Sequence, residues 1–224
     1  MSTVNNNIEI KKIAKYNHIF LINSNEENTK LKKPALFFDR DGVLIKDVNY
    51  ISNPSDVKLL PGVKELLSLS RNLGWLNIVI TNQSGIFRGY FGWADYEKVT
   101  MKMFELLGNP MNINAVYANG CGPSEFLSKD SWRKPNPNMI LNATSRFNID
   151  LKKSILIGDR LTDLMSANNS GIITSVHVLT GHGKKERNKI INKFKKSSNK
   201  INLILLDDLT SFPFESLLCK KIGK

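Results

Sequence analysis

Two aspartates with one residue between them, Asp39 and Asp41, follow directly on the apolar run Ala35-Leu36-Phe37-Phe38 and precede Gly42. Carboxylates this close repel one another unless a cation lies between them. A glycine after the pair permits a tight turn that a side chain resists. The chemistry that suits such a pair is divalent-metal binding and phosphoryl transfer. An isolated Asp-x-Asp-Gly reads equally well as a solvated acidic turn, so its weight comes from the rest of the chain. Three more polar groups follow apolar runs or adjacent loops: Thr81 in Thr81-Asn82-Gln83-Ser84-Gly85, Arg133 with Lys134 before Pro135, and Asp159 with Asp163. Singly each has an ordinary structural reading, as a strand end, an exposed lysine or a Gly-Asp turn. On one rim they supply carboxylates for Mg2+, a hydroxyl and a lysine, the set that orients a phosphoryl group and neutralises its charge.

The elements that must position these groups alternate along the chain. Residues 35–38 read as a short strand buried on both faces. A loop over 45–60, with Asn53-Pro54 as a turn signal, leads to a helical pattern from Pro61-Gly62 to Leu73, closed by Gly74. Residues 75–80 form a second apolar run. Strand, helix and strand in that order make parallel strands with both polar ends at one edge, which brings Thr81 to Asp39. After a loop containing Arg88, the pattern predicts a helix over 93–107, a strand over 113–118, an irregular stretch over 119–132 and a helix through Met139 and Phe147. A strand over 154–158, a helix bearing Asp163, a strand over 172–179, a basic solvated segment over 184–200, a strand over 201–206 and a terminal helix complete it. The expected fold is α/β, a doubly wound and mainly parallel sheet with helices on both faces and its site at the carboxyl ends of the strands. Residues 34–224 are expected to form that domain. Residues 1–33, with a frayed Asn-rich start and one brief strand over 18–22, read as an extension without chemistry.

At 224 residues the chain is long enough for one well-buried domain, and 41% hydrophobic with 23% charged residues is ordinary for a globular protein. No apolar run reaches the roughly eighteen residues of a membrane helix, so a cytoplasmic protein without a membrane partner is expected. A net charge of +12 raises a nucleic-acid reading. Against it, the basic residues crowd into 184–200 and are not interleaved with aromatic stacking platforms. Cys121 and Cys219 give neither a disulfide framework nor paired metal-ligand spacing. His177 and His182, the latter in a Gly-His-Gly turn, have no cysteine or carboxylate close in sequence and read as structural, as does His18.

Together, over about residues 36–179, the four segments resemble the motifs of the haloacid dehalogenase-like (HAD) phosphatases: Asp-x-Asp-Gly, a strand-terminal Thr or Ser, a Lys and a strand-terminal acidic pair. That resemblance implies an aspartyl-phosphate mechanism with Asp39 as nucleophile and Asp41 as general acid and base. It also implies Mg2+ held by Asp39, the Asp41 carbonyl and Asp159, and phosphoryl oxygens bound by Thr81 and Lys134, with Asp163 orienting Lys134. Within the superfamily, Asp39-Arg40-Asp41-Gly42, residues 47–50, residues 81–89 and Arg133-Lys134-Pro135 are similar to the D-glycero-D-manno-heptose 1,7-bisphosphate 7-phosphatase family, a group serving nucleotide-activated heptose and lipopolysaccharide biosynthesis. Histidinol-phosphatases share much of this pattern, and polynucleotide 3′-phosphatases share the Thr-Asn-Gln strand end and Arg-Lys-Pro. A scaffold that kept the fold and lost the chemistry is a further reading.

The resemblance implies a small phosphorylated sugar as substrate. Asp47, Asn49, Tyr50, Asn82, Gln83 and Ser84 are expected around it, with Arg133 and Arg160 on anionic groups. About forty residues between Asp41 and Thr81, already used by a loop and a helix, leave no room for a sizeable cap domain. The site is therefore expected to be open. Separately, a monomer is expected rather than an oligomer. In one respect the sequence departs from the family. Many members hold a structural zinc with three cysteines and a histidine in the loop before Arg-Lys-Pro, whereas residues 119–132 contain only Cys121 and no histidine. No structural zinc is expected, and packing of Phe126 or Trp132 is expected to hold the loop instead.

Overall fold

A strand that is apolar on both faces needs a layer of helix on each, and Ala35, Leu36, Phe37 and Phe38 are all fully buried. In the computed structural model, which describes residues 8–14, 17–22, 30–124, 128, 130–195 and 201–219, those layers are present. The elements in chain order are β1 (Ile8–Ala14), β2 (Asn17–Ile22), β3 (Ala35–Phe38), α1 (Val63–Asn72), β4 (Leu76–Asn82), α2 (Ser84–Phe87), α3 (Trp93–Leu107) and β5 (Ala115–Asn119). Then come α4 (Asn138–Phe147), β6 (Ile155–Gly158), α5 (Leu161–Ser170), β7 (Thr174–His177), α6 (Gly183–Lys195), β8 (Asn202–Leu205) and α7 (Phe214–Leu217). The strands form one sheet in the order β1-β2-β5-β4-β3-β6-β7-β8. From β5 to β8 all pairings are parallel.

The alternation of side chains along β3 divides the core. Leu36 and Phe38 join Val79, Val116 and Ile157 under α1 and α3, where Leu66, Leu67, Tyr96 and Val99 are buried. Ala35 and Phe37 join Ile78, Ile80 and Leu156 under α4 and α5, where Ile140, Ala143 and Leu164 are buried. The chain lays β4 and β5 to one side of β3 and β6, β7 and β8 to the other. Strand order thus reverses at β3/β6, the place where open α/β sheets form a crevice beyond the carboxyl ends of the strands.

Two segments differ from the sequence expectation. Residues 8–14, read as frayed, form β1, which pairs antiparallel with β2, itself antiparallel to β5 through pairs such as Phe20↔Val116. The edge position explains it, because Glu9, Lys11 and Lys12 cost little on a strand with only one neighbour. Residues 1–7 lie outside the described residues. The basic segment expected to be solvated is the helix α6, which buries Ile190 beside Phe194 in the core of the second face and leaves its lysines outward. Residues 196–200 lie outside the described residues. No helix among the described residues is long and apolar enough to cross a membrane.

Candidate active site

Asp39 is the first residue beyond β3, and the backbone N–H of Arg40 donates to its Oδ1 at 2.7 Å. The same Oδ1 lies 2.9 Å from Lys134 Nζ. That ammonium also pairs with Asp163 Oδ1 at 2.7 Å and donates to the Ile80 carbonyl at 2.9 Å, with only 2% of the side chain exposed. Asn82, the last residue of β4, clasps Lys134 by its backbone: Asn82 Oδ1 accepts from the Lys134 N–H at 3.0 Å and Nδ2 donates to its carbonyl at 3.2 Å. Burial by itself pushes Lys134 down, but Asp163 and Asp39 outweigh it and hold the ammonium above its ordinary value. Asp39 is held above the usual carboxylate range, by burial first, with Asp163 and Asp41 adding and Lys134 opposing.

Asp41 is held from behind. The Arg40 guanidinium reaches Asp41 Oδ2 at 3.0 Å and Oδ1 at 3.1 Å, and Gln83 Nε2 donates to Oδ2 at 2.8 Å. Gln83 Nε2 is also 2.8 Å from Thr81 Oγ1, and its Oε1 accepts from Arg40 at 3.2 Å. Arg40 is fully buried beneath the loop, over the Tyr96 ring at 4.9 Å and 3.4 Å from Thr100 Oγ1 on α3. A charged fork from Arg40 and a neutral amide donor from Gln83 therefore grip Asp41 together, a geometry that sets the plane of its carboxylate. The Asp41 side chain stays 22% exposed to the pocket.

Asp159 is the first residue beyond β6, fully buried, and its Oδ2 accepts from the backbone N–H of His182 at 2.7 Å. Its Oδ1 is buried without a hydrogen-bond partner among the described residues. Asp39, Asp159 and Asp163 each bring an oxygen to within 4.8 Å of the others. Burial, then Asp163 and Asp39, pushes Asp159 well above the usual carboxylate range. Asp163 is already engaged, with Oδ1 on Lys134 and Oδ2 capping α5 at the Arg160 N–H at 2.9 Å. An orphaned carboxylate oxygen in an all-oxygen cluster fits a hard divalent cation such as Mg2+.

A cavity of about 310 Å³ opens over these groups. Asp39, Asp41, Asp47, Asn49, Tyr50, Asn82, Gln83, Ser84, Arg133, Lys134 and Arg160 all line it. Thr81 and Asp159 lie behind it, almost wholly buried. The amides of Asn82 and Gln83, expected on substrate, are engaged within the protein on Lys134 and Asp41. Arg133 donates through Nη1 to the Cys121 carbonyl at 2.9 Å, which ties it to the 119–132 loop. Burial holds its guanidinium below the ordinary value. Trp132 is buried in that loop against Tyr117 of β5, ring centroids 5.6 Å apart, while Phe126 lies outside the described residues.

Sequence reasoning missed Arg40 and His182. Arg40 is the middle residue of Asp-x-Asp, to which the motif assigns no role, and nothing local marks it as buried. His182 lines the cavity, and its Nε2 is 3.0 Å from Asp47 Oδ2, a carboxylate far away in sequence. His177 is buried with Nε2 3.0 Å from the Asp159 carbonyl and Nδ1 accepting from Arg187 Nε at 2.8 Å, so it steadies the backbone of Asp159. His18 stacks on Trp93 at 4.9 Å, away from the cavity.

A family model described as HAD-hydrolase-like matches residues 131–203. A D-glycero-beta-D-manno-heptose-1,7-bisphosphate 7-phosphatase from Mesorhizobium japonicum is 37% identical over 62% of this chain and 66% of its own length. A protein of the same name from Vibrio cholerae is 30% identical over 85% of this chain and 100% of its own length. Among solved structures, D,D-heptose 1,7-bisphosphate phosphatase from B. bronchiseptica, complexed with magnesium and phosphate, superposes with a TM-score of 0.69 at 27% identity, covering 84% of this chain and 99% of that one.

Proposed function

The chain belongs to the HAD phosphatase family that includes the heptose 1,7-bisphosphate 7-phosphatases, and on that premise we propose that it hydrolyses the 7-phosphate of D-glycero-D-manno-heptose 1,7-bisphosphate. The observation that carries this reading is the buried Asp39–Lys134–Asp163 set beside Asp41 at the mouth of one cavity. With Oδ1 of Asp39 engaged by Arg40 and Lys134, Oδ2 is the oxygen left to attack phosphorus. As that P–O bond forms, the bond to the sugar oxygen breaks, and Asp41 delivers a proton to the leaving oxygen. Asp41 then takes a proton from water, which attacks the same phosphorus and releases Asp39. Lys134 and the Thr81 hydroxyl are assigned to the phosphoryl oxygens. Asp39, the Asp41 carbonyl and Asp159 would hold Mg2+, which when bound supplies positive charge to the phosphoryl group.

Arg133 and Arg160 are assigned to the phosphate that stays on the sugar, with Asp47, Asn49, Tyr50 and Ser84 around the sugar itself. Asn82 and Gln83 are assigned to orienting Lys134 and Asp41. Residues 34–224 are taken as the phosphatase domain and 1–33 as an extension whose strands β1 and β2 lengthen its sheet. The protein is taken to act as a cytoplasmic monomer without membrane or nucleic-acid partners.

The test is a side-by-side assay of heptose 1,7-bisphosphate, histidinol phosphate and a 3′-phosphorylated oligonucleotide at two salt concentrations. The heptose bisphosphate is expected to give the highest kcat/KM, by at least about tenfold, with little dependence on salt. An oligonucleotide preference that falls steeply with salt would make the +12 charge functional and overturn the sugar reading. Metal analysis of the purified, untagged protein is expected to find zinc well below one equivalent; stoichiometric zinc retained through dialysis would contradict the reading of residues 119–132.

A further inference from the structure

The Gly-His-Gly turn that the sequence offers no partner for is built into the rim of the cavity. Gly181, at φ +57°, passes so close to the Asp-x-Asp-Gly loop that a Cβ there would come within 2.3 Å of Asp159 Oδ2 and 2.7 Å of Gly42 Cα. A Cβ on Gly183 would meet the Val178 carbonyl at 1.9 Å. Only a chain without those side chains brings His182 this far in. There its main-chain N–H donates to Asp159 Oδ2 at 2.7 Å, while its ring reaches across to Asp47.

We propose that His182 is a positioning residue that determines specificity, holding Asp47 as a hydrogen-bond acceptor for a hydroxyl of the substrate's alcohol portion. Asp47 is gripped at both oxygens, with Oδ1 accepting from the Asn49 N–H at 2.9 Å and Oδ2 at 3.0 Å from His182 Nε2. A carboxylate only accepts, so Nε2 carries the proton whichever charge the ring has. Each oxygen keeps a lone pair for a ligand. Arg133 and Arg160, which line the same cavity and lie close enough for their charges to act on one another, are donors suited to phosphate oxygens. One anionic acceptor among them repels a phosphate and takes a hydroxyl. Arg160 Nη2 stands 4.0 Å from the same Asp47 oxygen. Without the imidazole, Asp47 closes on that guanidinium, which removes the acceptor and blunts Arg160 together.

The inference rests on the phosphosugar reading above, and the experiment separates the two. The ratio of kcat/KM for heptose 1,7-bisphosphate to that for p-nitrophenyl phosphate, which has no hydroxyls, is measured for the wild type, His182→Ala, His182→Gln, Asp47→Ala and the double alanine variant. His182→Ala keeps the main-chain bond to Asp159, so the expected result is a fall in that ratio of about tenfold or more, mainly through KM. Gln, which restores a side-chain N–H, is expected to recover most of it, and the double variant to be no worse than Asp47→Ala. A ratio that survives His182→Ala, equal losses on both substrates, or losses that multiply in the double variant would overturn the proposal. A wild type with no preference for the heptose bisphosphate would overturn the substrate reading first, and this one with it.

Discussion

Asp39→Asn is expected to lower phosphate release by about four orders of magnitude or more, since it removes the carboxylate assigned as nucleophile while preserving the side chain's shape. The neighbouring contacts make this a clean test. The Arg40 N–H and Lys134 can both still bond to the Asn carbonyl oxygen in place of Oδ1. Fold and phosphate binding should therefore survive, and a loss confined to kcat is the signature. Asp41→Asn is expected to cost about a hundredfold to ten-thousandfold, the usual range for a general acid–base residue. The loss should be smaller for p-nitrophenyl phosphate, whose leaving group needs no proton. Either variant turning over near the wild-type rate on the sugar substrate would refute its assigned role.

The second large effect is on stability as well as rate. Lys134→Met keeps length and apolar stem but leaves Asp39 and Asp163 without the ammonium that lies 2.9 and 2.7 Å from them. Breaking one side of a buried ion pair costs roughly 3–5 kcal/mol, which for a chain of this size lowers Tm by about 10 °C. The pH dependence has a definite sign. Asp39 and Asp159 have folded-state pKa values above the unfolded ones, so the metal-free folded protein binds protons more tightly than the unfolded chain. Its stability falls as pH rises from the ordinary carboxylate range through the raised values. Removing Lys134 raises Asp39 further and steepens that fall. The Tm deficit in EDTA should be larger at pH 8 than at pH 5, and Mg2+ should recover part of it. Equal thermal stability of variant and wild type at pH 8 in EDTA would show that Lys134 does not neutralise the cluster. Because Lys134 also faces the phosphoryl group in the proposed mechanism, kcat/KM should fall by at least about a hundredfold.

The parts of this protein legible in the sequence are those with local causes. Short apolar runs read as buried strands, and Asp39, Thr81 and Asp159 follow them directly, so their place at the strand ends follows from chain order alone. The helix over 93–107 also reads directly from its pattern and is found as α3 (Trp93–Leu107). Residues 8–14 and 184–195 were not legible in the same way. A strand at a sheet edge and a lysine-rich helix with one buried isoleucine acquire their structure from a neighbour: β2 for β1, and the second face of the core for α6.

The sequence by itself determined which residues reach the rim, because strand direction and turn chemistry act over a few residues. Only the tertiary structure decided what they do to one another there. Lys134 is shared between Asp39 and Asp163 because Asn82 clasps its backbone from the end of β4. Arg40 turns inward to fix Asp41 because α3 places the Tyr96 ring and Thr100 beneath it. His182 meets Asp47 because two glycines let its loop press on Asp159 and Gly42. Each of these contacts joins segments far apart in the chain, and a buried charge finds its partner by where packing puts it, not by its distance along the sequence.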